Sequence, residues 1–182
     1  MVPIADGSSQ LSELDVAPES FQRQPENLAG RFYSAADYHA LYKAGKLTPL
    51  EVVETLLPLI RRDVENPSKY SNAWLQHNVE DVLGAARAST ARWAAGKPLG
   101  LLDGVPFGVK DDIDVEGFVS TGARKVDKSH PFFQSPADHT EWPSQKLEEA
   151  GAIMMGKMNL HEIGMGKIAC SSHIQLLDQC QC

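Results

Sequence analysis

The sequence is poor in the features that mark secreted and membrane-spanning proteins. Its 182 residues contain only three cysteines, and all three fall within the last thirteen residues. An odd number of cysteines without a secretory signal argues against a disulfide framework. No run approaches the roughly 18 apolar residues that a membrane-spanning helix requires, and the amino terminus has neither the basic nor the apolar part of a signal peptide. We therefore expect a cytoplasmic protein without a membrane span.

Positive charge is also scarce. Seventeen Lys and Arg stand against 24 Asp and Glu, which gives a net charge of -7. No basic stretch offers the electrostatic footprint that nucleic acid requires, so we expect no nucleic-acid partner. The remaining composition, 42% hydrophobic with 14 Gly and 11 Pro, is that of an ordinary globular protein.

Helix signals dominate the first half of the chain. Residues 1–33 are polar and aperiodic, and we interpret them as a flexible leader. Capping boxes predict helix starts at Ser34 and Thr48. Apolar residues spaced three and four apart carry the second helix to Val64, and Pro58 predicts a kink within it.

Helices and strands alternate in the second half, which is typical of an α/β sheet protein. Helix starts are expected at Asn78 and at Asp138 or Thr140, and Gly96 and Gly151 end these helices. Strands are predicted at residues 73–76, 105–110 and 152–155. A loop is expected at 99–104, before the second strand, and a last short helix at 159–163.

One stretch imitates a phosphate-binding loop. Gly151 and the pair Gly156 and Lys157 have the required spacing, but the next residue is Met158, where that motif needs a Ser or Thr hydroxyl. The four intervening residues also look like a strand rather than a loop. We therefore reject nucleotide binding.

Three further patterns imitate metal sites. Residues 112–116 resemble the start of a calcium loop, yet its twelfth position is Ala123 and not Glu, and the acids alternate as on the polar face of a strand. His161 and Glu162 begin like a zinc-protease helix, but the partner position is Met165. The tail could supply four zinc ligands, namely Cys170, His173, Cys180 and Cys182. The plainer interpretation is that its cysteines are free thiols. We expect no metal or cofactor in the catalytic site.

Lys110 is the sharpest single candidate for chemistry. It ends an apolar strand, where loss of water would lower the pKa of its amine and make it a base. The plainer interpretation is an ion pair with Asp111 or Asp112 at the strand end. No Gly-x-Ser-x-Gly sequence offers a conventional hydrolase serine.

The segment Gly-Val-Pro-Phe-Gly-Val-Lys-Asp-Asp-Ile, residues 104–113, closely resembles the lysine-bearing strand of the amidase signature family, which includes amidases and the amidase-like subunits of glutamyl-tRNA amidotransferases. Three further segments follow in the family's order, at 119–123, 147–153 and 156–166. Met158 stands where the family usually has Thr. The resemblance is dense from Pro98 to Gly166 and looser before it.

The resemblance implies a fold and an activity. The fold is one large α/β domain of helices around a mixed sheet, of which this chain is an incomplete N-terminal portion. The activity is hydrolysis of a small-molecule carboxylic amide, or transfer of its ammonia, by a Ser–cis-Ser–Lys triad without a cofactor. Lys110 falls at the position of the triad lysine, the base that activates the serines.

The resemblance also stops short of the triad. The family's two serines lie in a Gly/Ser-rich segment that this sequence lacks, and Ser171 and Ser172 have no flanking glycines. We expect a leader (1–33), a partial amidase domain (34–166) and an unrelated tail (167–182) that derives from a retained intron, a frameshift or a genuine exon. The chain is then an inactive amidase portion; the alternative is a non-catalytic regulatory or partner-binding protein, with or without a zinc-binding tail. Hydrolase or amidotransferase, substrate and oligomeric state stay open.

Overall fold

The computed structural model describes residues 33–127 and 129–161. Of the short helix predicted at residues 159–163, the structure describes 159–161, which are not helical. The rest of that segment and the cysteine-containing tail lie outside the described residues. No helix in the described part of the chain is long and apolar enough to cross a membrane.

The described residues form four α-helices, two short 3-10 helices and three strands. The α-helices are α1 (Ala35–Lys43), α2 (Pro49–Ile60), α3 (Val79–Ala94) and α4 (Trp142–Glu149). The strands are β1 (Trp74–Gln76), β2 (Pro106–Lys110) and β3 (Ile153–Met158), and the 3-10 helices cover Lys69–Ala73 and Pro131–Phe133.

Side-chain caps start the first three helices where the sequence predicts them. Ser34 and Thr48 each form a complete capping box, and the Asn78 side chain accepts a hydrogen bond from the Asp81 amide. Each cap satisfies backbone donors that the first helical turn leaves unpaired. These helices therefore begin for reasons contained within four consecutive residues.

The sheet is mixed, as expected, in the order β1-β3-β2. Strand β3 is central; it pairs antiparallel with β1 and parallel with β2. The β2–β3 register places Val109 opposite Lys157 and Lys110 opposite Met158. Gly156 and Lys157 thus lie inside a strand, which supports the rejection of a phosphate-binding loop.

The hydrophobic core lies between the sheet and helices α2 and α3. Buried side chains of the two helices pack together and against β3. They are Val53, Leu57 and Ile60 of α2, Val82 and Ala86 of α3, and Ile153 and Met155 of β3. Four of the six β3 residues are buried, against one in β2 and none in β1, as expected for the central strand of the described sheet.

A buried carboxylate fixes the loop before β2. Asp103 is fully buried; its oxygens accept hydrogen bonds from Ser89 Oγ (2.6 Å), from Arg92 (2.6 and 2.9 Å) and from the Leu99 amide (2.8 Å). The next amide, of Gly104, bonds to the Gly151 carbonyl at 2.8 Å. The loop therefore enters β2 at a fixed position.

Several expected boundaries are wrong. Helix α2 ends at Ile60, not Val64, and runs through Pro58, whose kink stays a prediction. Helix α4 begins at Trp142 with Glu141 at its cap, so neither Asp138 nor Thr140 starts it. Strand β3 continues to Met158 rather than stopping at 155, and residues 112–116 form a loop with one isolated bridge, not a strand.

Candidate active site

Lys110 lies at the carboxyl end of β2, an edge strand of the described sheet. Its ammonium contacts the Asp112 carboxylate at 3.0 Å, with 49% of the lysine side chain and 37% of the aspartate side chain exposed. This is the strand-end ion pair of the plainer interpretation. The burial that would make Lys110 a desolvated amine is not present among the described residues.

Asp111, the residue between them, points the other way into a buried network. One of its oxygens accepts hydrogen bonds from the Thr121 amide at 3.0 Å, from the Thr121 hydroxyl and from the Ala123 amide at 3.4 Å. The other oxygen has no hydrogen-bond donor in the described chain and lies 3.8 Å from the Lys157 ammonium. The consecutive carboxylates of Asp111 and Asp112 thus pair with two different lysines, Lys157 and Lys110.

Lys157 is the fully buried lysine of the site. Its side chain has 0% exposure, and its ammonium donates to the Ile113 carbonyl and, at 2.8 Å, to Ser120 Oγ. Burial lowers the pKa of Lys157 because the charged form loses its water, while Asp111, Asp114 and Asp112 oppose that change. Its two hydrogen bonds and its ion pair with Asp111 tie the loop that follows Lys110 onto the centre of the sheet.

Sequence reasoning missed this second lysine. It noticed Lys157 only as part of the false phosphate-binding loop. The signal that would have found it is the strand itself: a lysine inside an apolar run flanked by strands on both sides needs a buried carboxylate. The adjacent pair Asp111 and Asp112, one strand away, is the source of that carboxylate.

The structure also brings together Asp114, His139 and Glu141, whose ligand atoms lie within 4.8 Å of one another. The Asp138 carboxylate, 2.9 Å from His139 Nδ1, raises the pKa of the imidazole, and the neighbouring acids add to this. His139 and Glu141 are exposed, and such groups are common in proteins that bind no metal. We assign this cluster no role in the site.

Other sequence candidates end elsewhere. Asp112 binds Lys110 and Asp114 faces His139, so the imitated calcium loop does not gather its acids. Ser171 and Ser172 lie outside the described residues, as do the zinc-type ligands of the tail. Among the described residues, the one polar partner of the Lys110 ammonium is Asp112.

Known proteins resemble this chain over the same region. The family model described as Amidase matches residues 54–175. A mitochondrial glutamyl-tRNA(Gln) amidotransferase subunit of Ixodes scapularis is 36% identical over 132 residues, which cover 72% of this chain and 24% of the relative. A fatty acid amide hydrolase of Medicago truncatula is 33% identical over 137 residues, covering 75% and 22%.

Solved structures give the same result. A bacterial aryl acylamidase of the amidase signature enzymes aligns with a TM-score of 0.58 at 27% identity, over 72% of this chain and 26% of that one. The chain thus spans about a quarter of the length of the relatives it matches. Because the first of these relatives carries a mitochondrial name, the cytoplasmic location stays a prediction. The match of sequence and fold, with the lysine-bearing strand at its centre, places the chain in the amidase signature family.

Proposed function

We propose that this chain carries the lysine of a carboxylic amide hydrolase, and that Lys110 acts as the base that takes a proton from a serine hydroxyl. The observation that supports it best is the position of Lys110. It ends a strand that is parallel to its neighbour, and the exposed end leaves its amine open to a reacting group. A serine is a weak nucleophile until a neighbouring base removes its proton.

The buried network supports the same proposal. Asp111 and Lys157 anchor the backbone immediately after Lys110, because the Asp111 amide also bonds to the Met158 carbonyl at 3.0 Å. A catalytic group must be held to within fractions of an ångström for efficient proton transfer. The site therefore has a rigid support beneath an accessible lysine.

We further propose that the 182 residues alone do not hydrolyse amides. In the described chain no hydroxyl bonds to Lys110, and the whole sequence lacks the Gly/Ser-rich segment that holds both serines in the family. Without a nucleophile, a bridging serine or oxyanion donors, most of the rate acceleration is lost.

Ammonia release tests the second proposal. The purified chain is incubated with simple aliphatic and aromatic amides beside two variants, Lys110→Ala and Lys146→Ala. Lys146 is the matched control, since it is equally exposed and pairs with Glu149 on α4. We expect no turnover above the buffer rate. Ammonia release that persists in Lys146→Ala but disappears in Lys110→Ala would overturn the inactivity and confirm the base.

A chimera tests the role of Lys110 directly. Residues 33–161 replace the matching segment of a related amidase that retains its own serines. In an active chimera, Lys110→Ala is expected to reduce kcat more than about 1000-fold, and Lys146→Ala to leave it unchanged. Equal activity of the Lys110→Ala chimera would exclude Lys110 as the base.

A further inference from the structure

A groove of about 1030 Å³ lies beside the 119–126 loop. Its apolar surface comes from Leu75, Val119 and Phe133. Its charged surface comes from Arg62, Arg124 and Lys125, and no Asp or Glu lines it. We call this the cationic groove. Its volume lies at the upper end of the range that small-molecule sites occupy.

The sign of this charge is unexpected for the molecule. The chain carries a net charge of -7, yet three cations and no acid meet at one concave surface. Among the described residues, none of the three cations has a carboxylate within ion-pair distance. The nearest acids along the chain are already engaged: Asp63 with Arg61 at 2.6 Å, and Asp127 with Ser129 Oγ at 2.6 Å.

Arg124 is held in place before any ligand arrives. Its guanidinium stacks 4.2 Å from the Phe132 ring centroid and 5.6 Å from that of Phe133, and its Nε donates to the Thr121 carbonyl at 3.2 Å. These contacts use one of five N–H donors and leave the other four for a ligand. A guanidinium fixed in this way loses little side-chain entropy when it binds an anion.

The apolar side of the groove is fixed as well. The Gln76 side chain forms two hydrogen bonds with the Val119 backbone: Nε2 donates to the carbonyl at 2.7 Å, and Oε1 accepts from the amide at 3.4 Å. These two bonds connect strand β1 to the 119–126 loop. The groove is therefore a formed surface between two elements that hydrogen bonds connect.

We propose that the cationic groove binds an organic carboxylate with an apolar body. The carboxylate pairs with Arg124, Arg62 and Lys125, and the apolar body covers Leu75, Val119 and Phe133. A planar carboxylate matches the two parallel N–H donors of a guanidinium, and burial of the body removes apolar surface from water. This binding does not depend on amide hydrolysis or on Lys110.

Two fluorescent probes that differ only in charge test the site. The full 182-residue chain is titrated with 1-pyrenebutyrate and with 1-pyrenebutanol, which has the same ring and chain but no carboxylate. We expect the carboxylate to bind about tenfold more tightly at low salt, a difference of about 1.4 kcal/mol. This preference is expected to shrink as salt rises from about 20 mM to about 500 mM.

Charge-neutral variants locate the binding. Arg124→Gln is expected to weaken pyrenebutyrate binding about five- to tenfold and to change pyrenebutanol binding less than about twofold. Arg87→Gln, an exposed cation on α3 outside the groove, is the matched control and should change neither. Because Arg124 also stacks on two rings, Arg62→Gln and Lys125→Gln give the same comparison without that contact.

Three results would overturn the proposal. They are equal affinity for the two probes, no binding of either probe, and a carboxylate preference that Arg62→Gln, Lys125→Gln and Arg124→Gln all leave intact. Circular dichroism melting curves of each variant confirm that the folded chain is being compared. Loss of the preference in the groove variants alone supports it.

Discussion

The two lysines beside the sheet allow a direct test of how this site is built. Lys110 and Lys157 lie on paired strands, one register step apart, but their side chains are 49% and 0% exposed. Replacing each with Met removes one ammonium and keeps a side chain of similar length. The two variants should therefore differ almost entirely through burial.

The structure gives the expected magnitudes. Lys157→Met leaves the Asp111 carboxylate buried without a cation and removes the donor to the Ile113 carbonyl and Ser120 Oγ. Breaking one side of a buried charge pair costs about 3–5 kcal/mol. Lys110→Met removes a solvent-exposed pair, which is worth about 0–1 kcal/mol. We expect the free energy of unfolding to fall by at least about 2 kcal/mol more in Lys157→Met.

Urea denaturation followed by tryptophan fluorescence measures the difference. Trp74 is a suitable reporter, because it lies on β1 opposite Met158 of β3 and its environment changes when the sheet opens. The double variant Asp111→Asn with Lys157→Met removes both charges, so its cost is expected to be smaller than the sum of the single costs by more than about 1 kcal/mol. Equal costs for the two Met variants, or strict additivity in the double variant, would refute this account of the network.

Four further variants test stability at single positions. Asp103→Asn should remove a pH-dependent contribution to the free energy of unfolding. Burial opposes ionisation of Asp103, but hydrogen bonds from its partners hold its pKa below the ordinary value. The wild-type contribution is therefore present above about pH 4 and is lost as the pH falls further, which acid titration of both proteins by circular dichroism checks. Thr48→Ala should cost about 1 kcal/mol in urea by removing a helix cap. Gly156→Ala should cost more than about 2 kcal/mol in urea denaturation, because its φ is 147° and a Cβ would overlap the Gln76 carbonyl. In the same measurement Gly84→Ala, in open space on α3, should instead stabilise the chain by about 0.5–1 kcal/mol.

Helix starts could be predicted where the cap is local. At Ser34, Thr48 and Asn78 the capping side chain bonds to a backbone amide three residues on, so four consecutive letters contain the whole interaction. Thr140 has the same chemistry but is not a cap. Its hydroxyl accepts instead from the Glu116 amide at 3.1 Å, a contact from 24 residues away that no local pattern contains.

The site was harder to predict than the fold for a similar reason. The resemblance at residues 104–113 singled out Lys110 from its motif, but exposure depends on the register between two strands that are far apart in the sequence. Lys157 lies beside the buried Val109, whereas Lys110 lies beside the half-buried Met158, so Lys157 is buried and Lys110 is not. Strand register is a long-range property that composition and spacing do not encode.

The neighbouring acids then define what Lys110 needs in order to act as a base. Its ammonium is open to water and lies 3.0 Å from the Asp112 carboxylate, so a serine hydroxyl would have to displace both in order to reach it. The Asp111–Lys157 pair fixes the backbone below it but does not remove water from the amine. A base at this position therefore requires groups from outside residues 33–127 and 129–161 that cover Lys110 and separate it from Asp112. For this reason the chimera, which supplies such groups, is the decisive measurement for Lys110, and an ion pair that persists in an active chimera would contradict the proposed proton transfer.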